Sequence, residues 1–253
     1  MKIKTSAGIA AGAVFVVTAY CTNFLLTRRQ TFLVSDGARR DAFDKISENY
    51  DKKTMFQEFI LGITHCRKTM LHKHCRGDVL EVGAGTGKNI GLFNYDDIKS
   101  IVLCDRSNAM LRVMEKKYDH YKLSQNFDVP HKFQMIDSEV LPFADDTFDT
   151  VIDTFGLCSY DEPIQALREM SRVCKPEGKL LLLEHGKGNK SWLNNYLDKM
   201  APSHALNWGC WWNRDIQRMV RLAGIECIEE KNMHFGTTQM RICKPIADNS
   251  LLK

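Results

Sequence analysis

No C-x-x-C pair occurs among the nine cysteines of this chain, and their number is odd. The paired spacing of zinc ribbons and redox motifs is therefore absent, and mostly free thiols are expected rather than a disulfide framework. Charge of one sign is also scarce. Lysine and arginine number 35 against 31 aspartates and glutamates, a net charge of +4. The basic residues are scattered, with no stripe interleaved with aromatics, so nucleic acid is not an expected partner. His65, Cys66, His72, His74 and Cys75 lie close together. Their spacing matches no structural zinc pattern, and Lys and Arg fill the gaps; a solvated helix end is expected there, and no metal.

Long apolar runs are confined to one place. Thr5 to Thr27 carries no charge, follows Lys2 and Lys4, and ends at Arg28-Arg29. A run of about 20 apolar residues can cross a bilayer as a helix. A cleaved signal peptide would have a shorter core and a small-x-small site after it. Here the chain goes straight to Arg-Arg-Gln, so residues 1–29 are expected to be an uncleaved single-pass anchor. The heavier positive charge after the span favours a domain on the cytoplasmic or matrix-like side.

What the chain does have is Val79-Leu-Glu-Val-Gly-Ala-Gly-Thr-Gly-Lys-Asn89, three glycines at alternate positions after a short apolar run. Glycine lets the backbone turn sharply and lets a ligand approach with no Cβ in the way. A phosphate-binding P-loop would need a glycine at Val82 and Ser or Thr at Asn89. A dinucleotide loop would need its third glycine at Lys88. What remains is E-x-G-x-G-x-G, with Glu81 two residues before Gly83. Alone, it also fits an ordinary tight turn from strand to helix.

Periodicity extends the pattern. Residues 30–76 are a linker followed by a helical stretch from Ala38 to His74, and residues 77–246 read as one α/β domain, with 247–253 as a tail. Strands are expected at Val79–Val82, Ile101–Cys104, Lys132–Met135, Phe148–Asp153, Lys179–Glu184, Ile225–Glu230 and Thr238–Cys243, the last two as an antiparallel edge pair. Helices are expected after Gly87, over Ala109–Tyr118 with Ser107 and Asn108 as caps, and over Pro163–Cys174, Ser191–Met200 and Asp215–Ala223. Asp105, at the end of the second strand, is placed to accept hydrogen bonds from two sugar hydroxyls.

The glycine motif resembles motif I of class I S-adenosylmethionine (SAM) methyltransferases. Asp137-Ser-Glu-x-Leu-Pro-Phe143, Asp146-x-Phe148-Asp149-x-Val151 and Glu169-x-x-Arg172-Val-x-Lys-Pro-x-Gly178 follow in the order of the UbiE-like group. This resemblance implies a doubly wound, seven-stranded, mostly parallel sheet with the Rossmann-like methyltransferase fold, SAM as cofactor, and methyl transfer as the activity. It implies that Glu81 orders the loop or the cofactor's amino group, and that Gly83, Ala84, Gly85 and Gly87 pack against the sugar and methionine parts. It further implies that Asp105, with Arg106 and Met110 beside it, takes the ribose; that Asp137 and Ser138 take the adenine; and that Thr154 opens the loop under the sulfur. Phe43 to Tyr50-Asp51 resembles the family's entry segment, so Tyr50 is either a cofactor contact or a helix-core aromatic.

His185, where the fifth strand ends, is either a general base, a substrate contact, or a polar residue leaving the sheet. Trp208, Trp211 and Trp212 lie within five residues. They either line an apolar acceptor site, sit at a membrane interface, or pack. Glu184-His-Gly186, Trp208-Gly-Cys-Trp-Trp-Asn-Arg-Asp215 and His234-x-Gly-Thr-Thr238 resemble segments of membrane-anchored methyltransferase-like proteins of fungal mitochondria and, more distantly, of thiol methyltransferases of the animal endoplasmic reticulum. The first resemblance implies the mitochondrial inner membrane, the second the endoplasmic reticulum membrane. The expected acceptor is a small, lipophilic molecule. A SAM-binding assembly factor without turnover stays open as the alternative.

Overall fold

The computed structural model describes residues 34–246; the expected anchor at Thr5–Thr27 and the tail at 247–253 lie outside the described residues. From Ser35 onward the described chain forms one compact unit. Among the described residues no helix is long and apolar enough to cross a membrane.

Seven strands form one sheet in the order β3-β2-β1-β4-β5-β7-β6. They are β1 (Gly77–Val82), β2 (Ile98–Asp105), β3 (His131–Met135), β4 (Phe148–Thr154), β5 (Cys174–His185), β6 (Glu226–Met233) and β7 (Thr238–Lys244). β1 to β5 pair in parallel, and β7 runs antiparallel between β5 and β6. The strand order reverses at β1 and β4, so the loops after these strands diverge and leave a crevice at their carboxyl ends.

Alternate strand residues feed two cores, because successive side chains leave a strand on opposite faces. On one face Val79, Ile101, Leu103, Ile152, Leu181 and Ile242 pack under α3 (Ile63–His74) and α4 (Asn108–Gln125). On the other, Leu80, Val82, Val151, Leu180 and Leu182 pack under α5 (Pro163–Val173) and α7 (Ile216–Ala223). The central strands are buried on both faces and so read as continuous apolar runs, as parallel sheets do. α6 (Ser191–Trp208) runs well past the expected Met200.

Four expectations are corrected. The stretch from Ala38 to His74 is three helices: α1 (Asp36–Ile46), α2 (Tyr50–Ile60) and α3, parted by a 3₁₀ turn at Ser47–Asn49 and by Gly62 at φ +65°. No α-helix follows Gly87. Two 3₁₀ turns, at Ile90–Leu92 and Tyr95–Asp97, take its place, and Gly91 lies against the Tyr121 ring where a side chain would not fit. Lys175-Pro-Glu-Gly178, whose proline and glycine predict a turn, instead belongs to β5, at an irregularity in its register with β4. The thiols are mostly free as expected, at Cys66, Cys75, Cys104, Cys158, Cys174 and Cys210, with one departure: Cys227 and Cys243, opposite each other on β6 and β7, form a disulfide.

Candidate cofactor site

The crevice at the ends of β1, β2 and β4 is a cavity of about 370 Å³, a size that small ligands use. Its floor is the bend from Gly83 to Thr86. All three glycines have positive φ, at +61°, +57° and +72°, but for different reasons. A side chain on Gly83 would strike the Tyr160 hydroxyl, and one on Gly87 would strike Ile90 and Met114. One on Gly85 would meet nothing within 4 Å. Gly83 and Gly87 are thus held by packing; Gly83 and Gly85 both line the cavity, but of the three only Gly85 has open space where a side chain would go.

Asp105 fastens this bend. Its Oδ2 accepts from Gly85 N at 2.8 Å and its Oδ1 from Ser107 N at 2.8 Å. Burial pushes its carboxyl up from the ordinary range, against the pull of those two amides. Each oxygen keeps a further lone pair, so the group could still accept from two hydroxyls in the cavity. Ser107 also caps α4, accepting from Met110 N at 3.1 Å, which brings Met110 to the cavity wall beside Ile136 and Ser138.

Beneath the bend lies a buried polar network that the sequence did not reveal. Arg67 on α3 donates to Asn89 Oδ1 at 3.0 Å and to Thr154 Oγ1 at 2.7 Å, and its guanidinium lies 4.9 Å from the Phe155 ring centre. Asn89 donates to Glu81 Oε1 at 2.9 Å and to Thr154 Oγ1 at 3.2 Å. Glu81 is 1% exposed, and its Oε2 has no hydrogen-bond partner. Burial outweighs the opposing Arg67 charge and the Asn89 amide, and lifts its pKa to about 7.

The Leu141-Pro-Phe143 segment is also held from behind. Glu169 Oε2 accepts from Leu141 N at 2.9 Å, and Arg172 donates to the carbonyls of Leu141 and Phe143 at 2.9 and 2.8 Å. The E-x-x-R spacing puts both side chains on one face of α5, pointing at this segment. The outer wall comes from the N-terminal helices. Arg39, 2% exposed, donates to Ser159 O at 2.8 Å and pairs with Asp161. Phe43 and Tyr50 close the same side.

The sequence-expected residues divide accordingly. Tyr50, Gly83, Ala84, Gly85, Asp105, Arg106, Met110, Ser138 and Thr154 all line the cavity. Glu81 and Gly87 lie beneath the bend rather than at its surface. Asp137 is also off the wall: its Oδ1 accepts from Glu139 N at 3.1 Å, and its Oδ2 lies 3.3 Å from the Arg106 guanidinium. His185 does not line the cavity: its Nε2 lies 3.2 Å from Cys210 Sγ, and its ring meets that of Phe155, a cavity residue, edge-on at 5.3 Å. None of the three tryptophans lines the cavity. Trp212 stacks on His204 at 3.9 Å, and Trp208 meets the Tyr50 ring edge-on at 6.5 Å.

Comparison with known proteins agrees with this geometry. Residues 80–182 match the family model described as a methyltransferase domain. Over 218 residues the chain is 34% identical to the mitochondrial methyltransferase OMS1 of Saccharomyces cerevisiae, covering 81% of this chain and 46% of that protein. It is 30% identical over 162 residues to the ubiquinone/menaquinone biosynthesis C-methyltransferase UbiE of Pseudoalteromonas translucida, covering 62% of this chain and 63% of the relative. The chain carries a methyltransferase domain. It spans about half to two thirds of the length of these relatives. A SAM-dependent methyltransferase of Thermotoga maritima shares the fold, at 19% identity and a TM-score of 0.60, over 82% of this chain and all of that one.

The cofactor of this domain is SAM. The residues present fit it. Gly85 leaves the floor clear of side chains, Asp105 offers free lone pairs to a sugar, and the Tyr160 hydroxyl on the cavity wall is buried with no hydrogen-bond partner among the described residues.

Proposed function

We propose that this domain transfers the methyl group of SAM to a small lipophilic acceptor at a membrane surface. The observation that carries this reading is the pairing of Asp105 with the unobstructed Gly85: one carboxylate holds the bend in place and still faces the cavity. In this reading Asp105 takes the ribose hydroxyls, with Arg106 flanking it. Met110 and Ile136 clasp the adenine, Ser138 meets its edge, and Asp137 stands behind through Arg106. Gly83 and Ala84 pass under the sugar, Glu81 and Gly87 support the bend from below, and Tyr50 and Thr154 border the methionine end.

When bound, SAM supplies an electrophilic methyl group. The chain's part is to hold an acceptor in line and keep water out, and positioning of that kind can supply most of the acceleration for a thiolate or an acidic enol. His185 does not line the cavity and is not needed as a base. Two features support a lipophilic acceptor. Met55, Phe56, Phe59 and Ile60 stand exposed along α2, the helix that begins at Tyr50 on the cavity wall. Such a face suits the headgroup boundary of a bilayer. The UbiE relative is named for quinone biosynthesis, and quinones reside in membranes. Thr5–Thr27 as a single-pass anchor, and the mitochondrial inner membrane as the site, complete the proposal; OMS1, by its name, is mitochondrial.

Calorimetry on the detergent-solubilised full chain tests it. SAM and S-adenosylhomocysteine should both bind. Asp105→Ala should weaken both by at least about 100-fold, as expected for losing two charge-assisted hydrogen bonds worth about 1.5–3 kcal/mol each. Comparing methylated lipids with and without the protein then names the acceptor. No heat with either nucleoside would end the proposal.

A further inference from the structure

Behind the cavity wall, three donors from distant parts of the chain meet. Cys158 lies in the loop after β4, His185 ends β5, and Cys210 follows α6. Their ligand atoms all lie within 4.8 Å of one another, and no other such grouping of three occurs among the described residues. Cys210 Sγ is 3.2 Å from His185 Nε2. Cys158 and Cys210 are 1% and 6% exposed, and His185 is half-buried.

We infer that Cys158, His185 and Cys210 bind a zinc ion. Two thiolates and an imidazole are a soft donor set that selects zinc over magnesium or calcium. Bond lengths of about 2.3 Å to sulfur and 2.0 Å to nitrogen put tetrahedral donors roughly 3.5–3.8 Å apart. The observed spacing brackets that, with His185 Nε2 and Cys210 Sγ 3.2 Å apart and no pair of donors more than 4.8 Å apart. Binding displaces both thiol protons to solvent, and the neutral imidazole donates its lone pair. Three protein donors leave a fourth position for a water or an exogenous thiol.

The backbone around the donors is already fixed. Trp211 N donates to Cys158 O at 2.8 Å, joining the two cysteine loops directly. Arg214 donates to Leu157 O and Tyr160 O, both at 2.7 Å, and so clamps the loop on either side of Cys158. Arg39 bridges Ser159 O and Gly209 O, next to the two cysteines. Such outer hydrogen bonds orient metal ligands before the ion arrives. The ion would tie together the end of β5, the loop after α6, and the loop whose Phe155, Gly156, Ser159 and Tyr160 line the cofactor cavity. The sequence concealed the site because its donors come from three separate connections, and the His65–Cys75 cluster drew attention instead.

The inference stands apart from methyl transfer, and so does its test. The full chain, purified in detergent with reductant, is stripped and titrated with zinc alone. One zinc per chain is expected. Cys158→Ser and Cys210→Ser should each weaken binding at least tenfold, and His65→Gln should leave it unchanged. Cobalt in place of zinc should give thiolate-to-metal charge-transfer absorption in the wild type and lose it in the double serine variant. Because those variants could fail to fold, the wild type also undergoes alkylation followed by peptide mass spectrometry. Zinc should protect Cys158 and Cys210, with no change at the other free cysteines. Equal zinc binding by wild type and double variant, no protection of these two thiols, or a Cys158–Cys210 disulfide in the reduced preparation would overturn it.

Discussion

Glu81 makes the protein lose stability as pH rises through neutrality, and the size of the loss follows from its surroundings. The carboxyl is buried at the end of β1 with one oxygen on Asn89 and the other unpaired. In the folded chain it holds its proton to about pH 7, chiefly because burial disfavours the charge, whereas a free glutamate releases it at 4.5. Between those values the folded state binds more protons than the unfolded state, so stability falls with pH. The contribution is fully present below 4.5 and is lost through 7. The gap in pKa amounts to about 3 kcal/mol, most of it crossed between pH 5 and 8.5. Glu81→Gln keeps an acceptor for Asn89 and carries no charge. Denaturant unfolding followed by circular dichroism at a series of pH values should show the variant gaining about 2–3 kcal/mol on the wild type across that range. Asp153 and Glu184 are buried too and pushed well upward. They add to the wild-type slope with the same sign; Glu184 cancels in the comparison, whereas the Glu81 charge is one cause of the upward push on Asp153, so Asp153 titrates somewhat lower in the variant. If the two proteins lose stability in parallel, Glu81 is charged in the fold and the reasoning fails.

Other perturbations separate binding from folding. Gly85→Ala puts a methyl into the cavity at φ +57°; it should cost about 1–2 kcal/mol of stability while removing SAM binding in calorimetry. Gly83→Ala, which strikes Tyr160, should show a larger loss in thermal unfolding than Gly85→Ala. Arg67→Met strips Asn89 and Thr154 of a shared donor; it should destabilise by about 3–5 kcal/mol, as when one member of a buried charged network is removed, read from denaturant midpoints.

Much of the site could be read along the chain because its parts are local. A strand, a bend and the acid after the next strand each carry their own signature, so Gly83, Gly85, Asp105 and Ser138 were recognisable from short segments, and the structure gathers them on one cavity. The glycines were recognisable as bends without the division of labour among them, since that depends on Tyr160, Ile90 and Met114 arriving from elsewhere. The expected helix after Gly87 is replaced by 3₁₀ turns, in a segment where Tyr121, from α4, fills the space beside Gly91. Three tryptophans in five residues left a pocket wall, a membrane interface and packing open, and only the fold chose among them: His204 packs on Trp212 and Tyr50 on Trp208.

The sequence by itself determined the alternation of strands and helices, the mostly parallel sheet and the acid at the end of β2. Apolar periodicity and glycine bends act over a few residues and need no partner to be legible. Only the tertiary structure decided that Arg67 and Arg39 brace the site from separate helices, that Glu81 lies beneath the bend, and that Cys158, His185 and Cys210 converge. Buried charges and metal donors are selected by what faces them across the sheet, and nothing in the order of residues along one strand or helix records that.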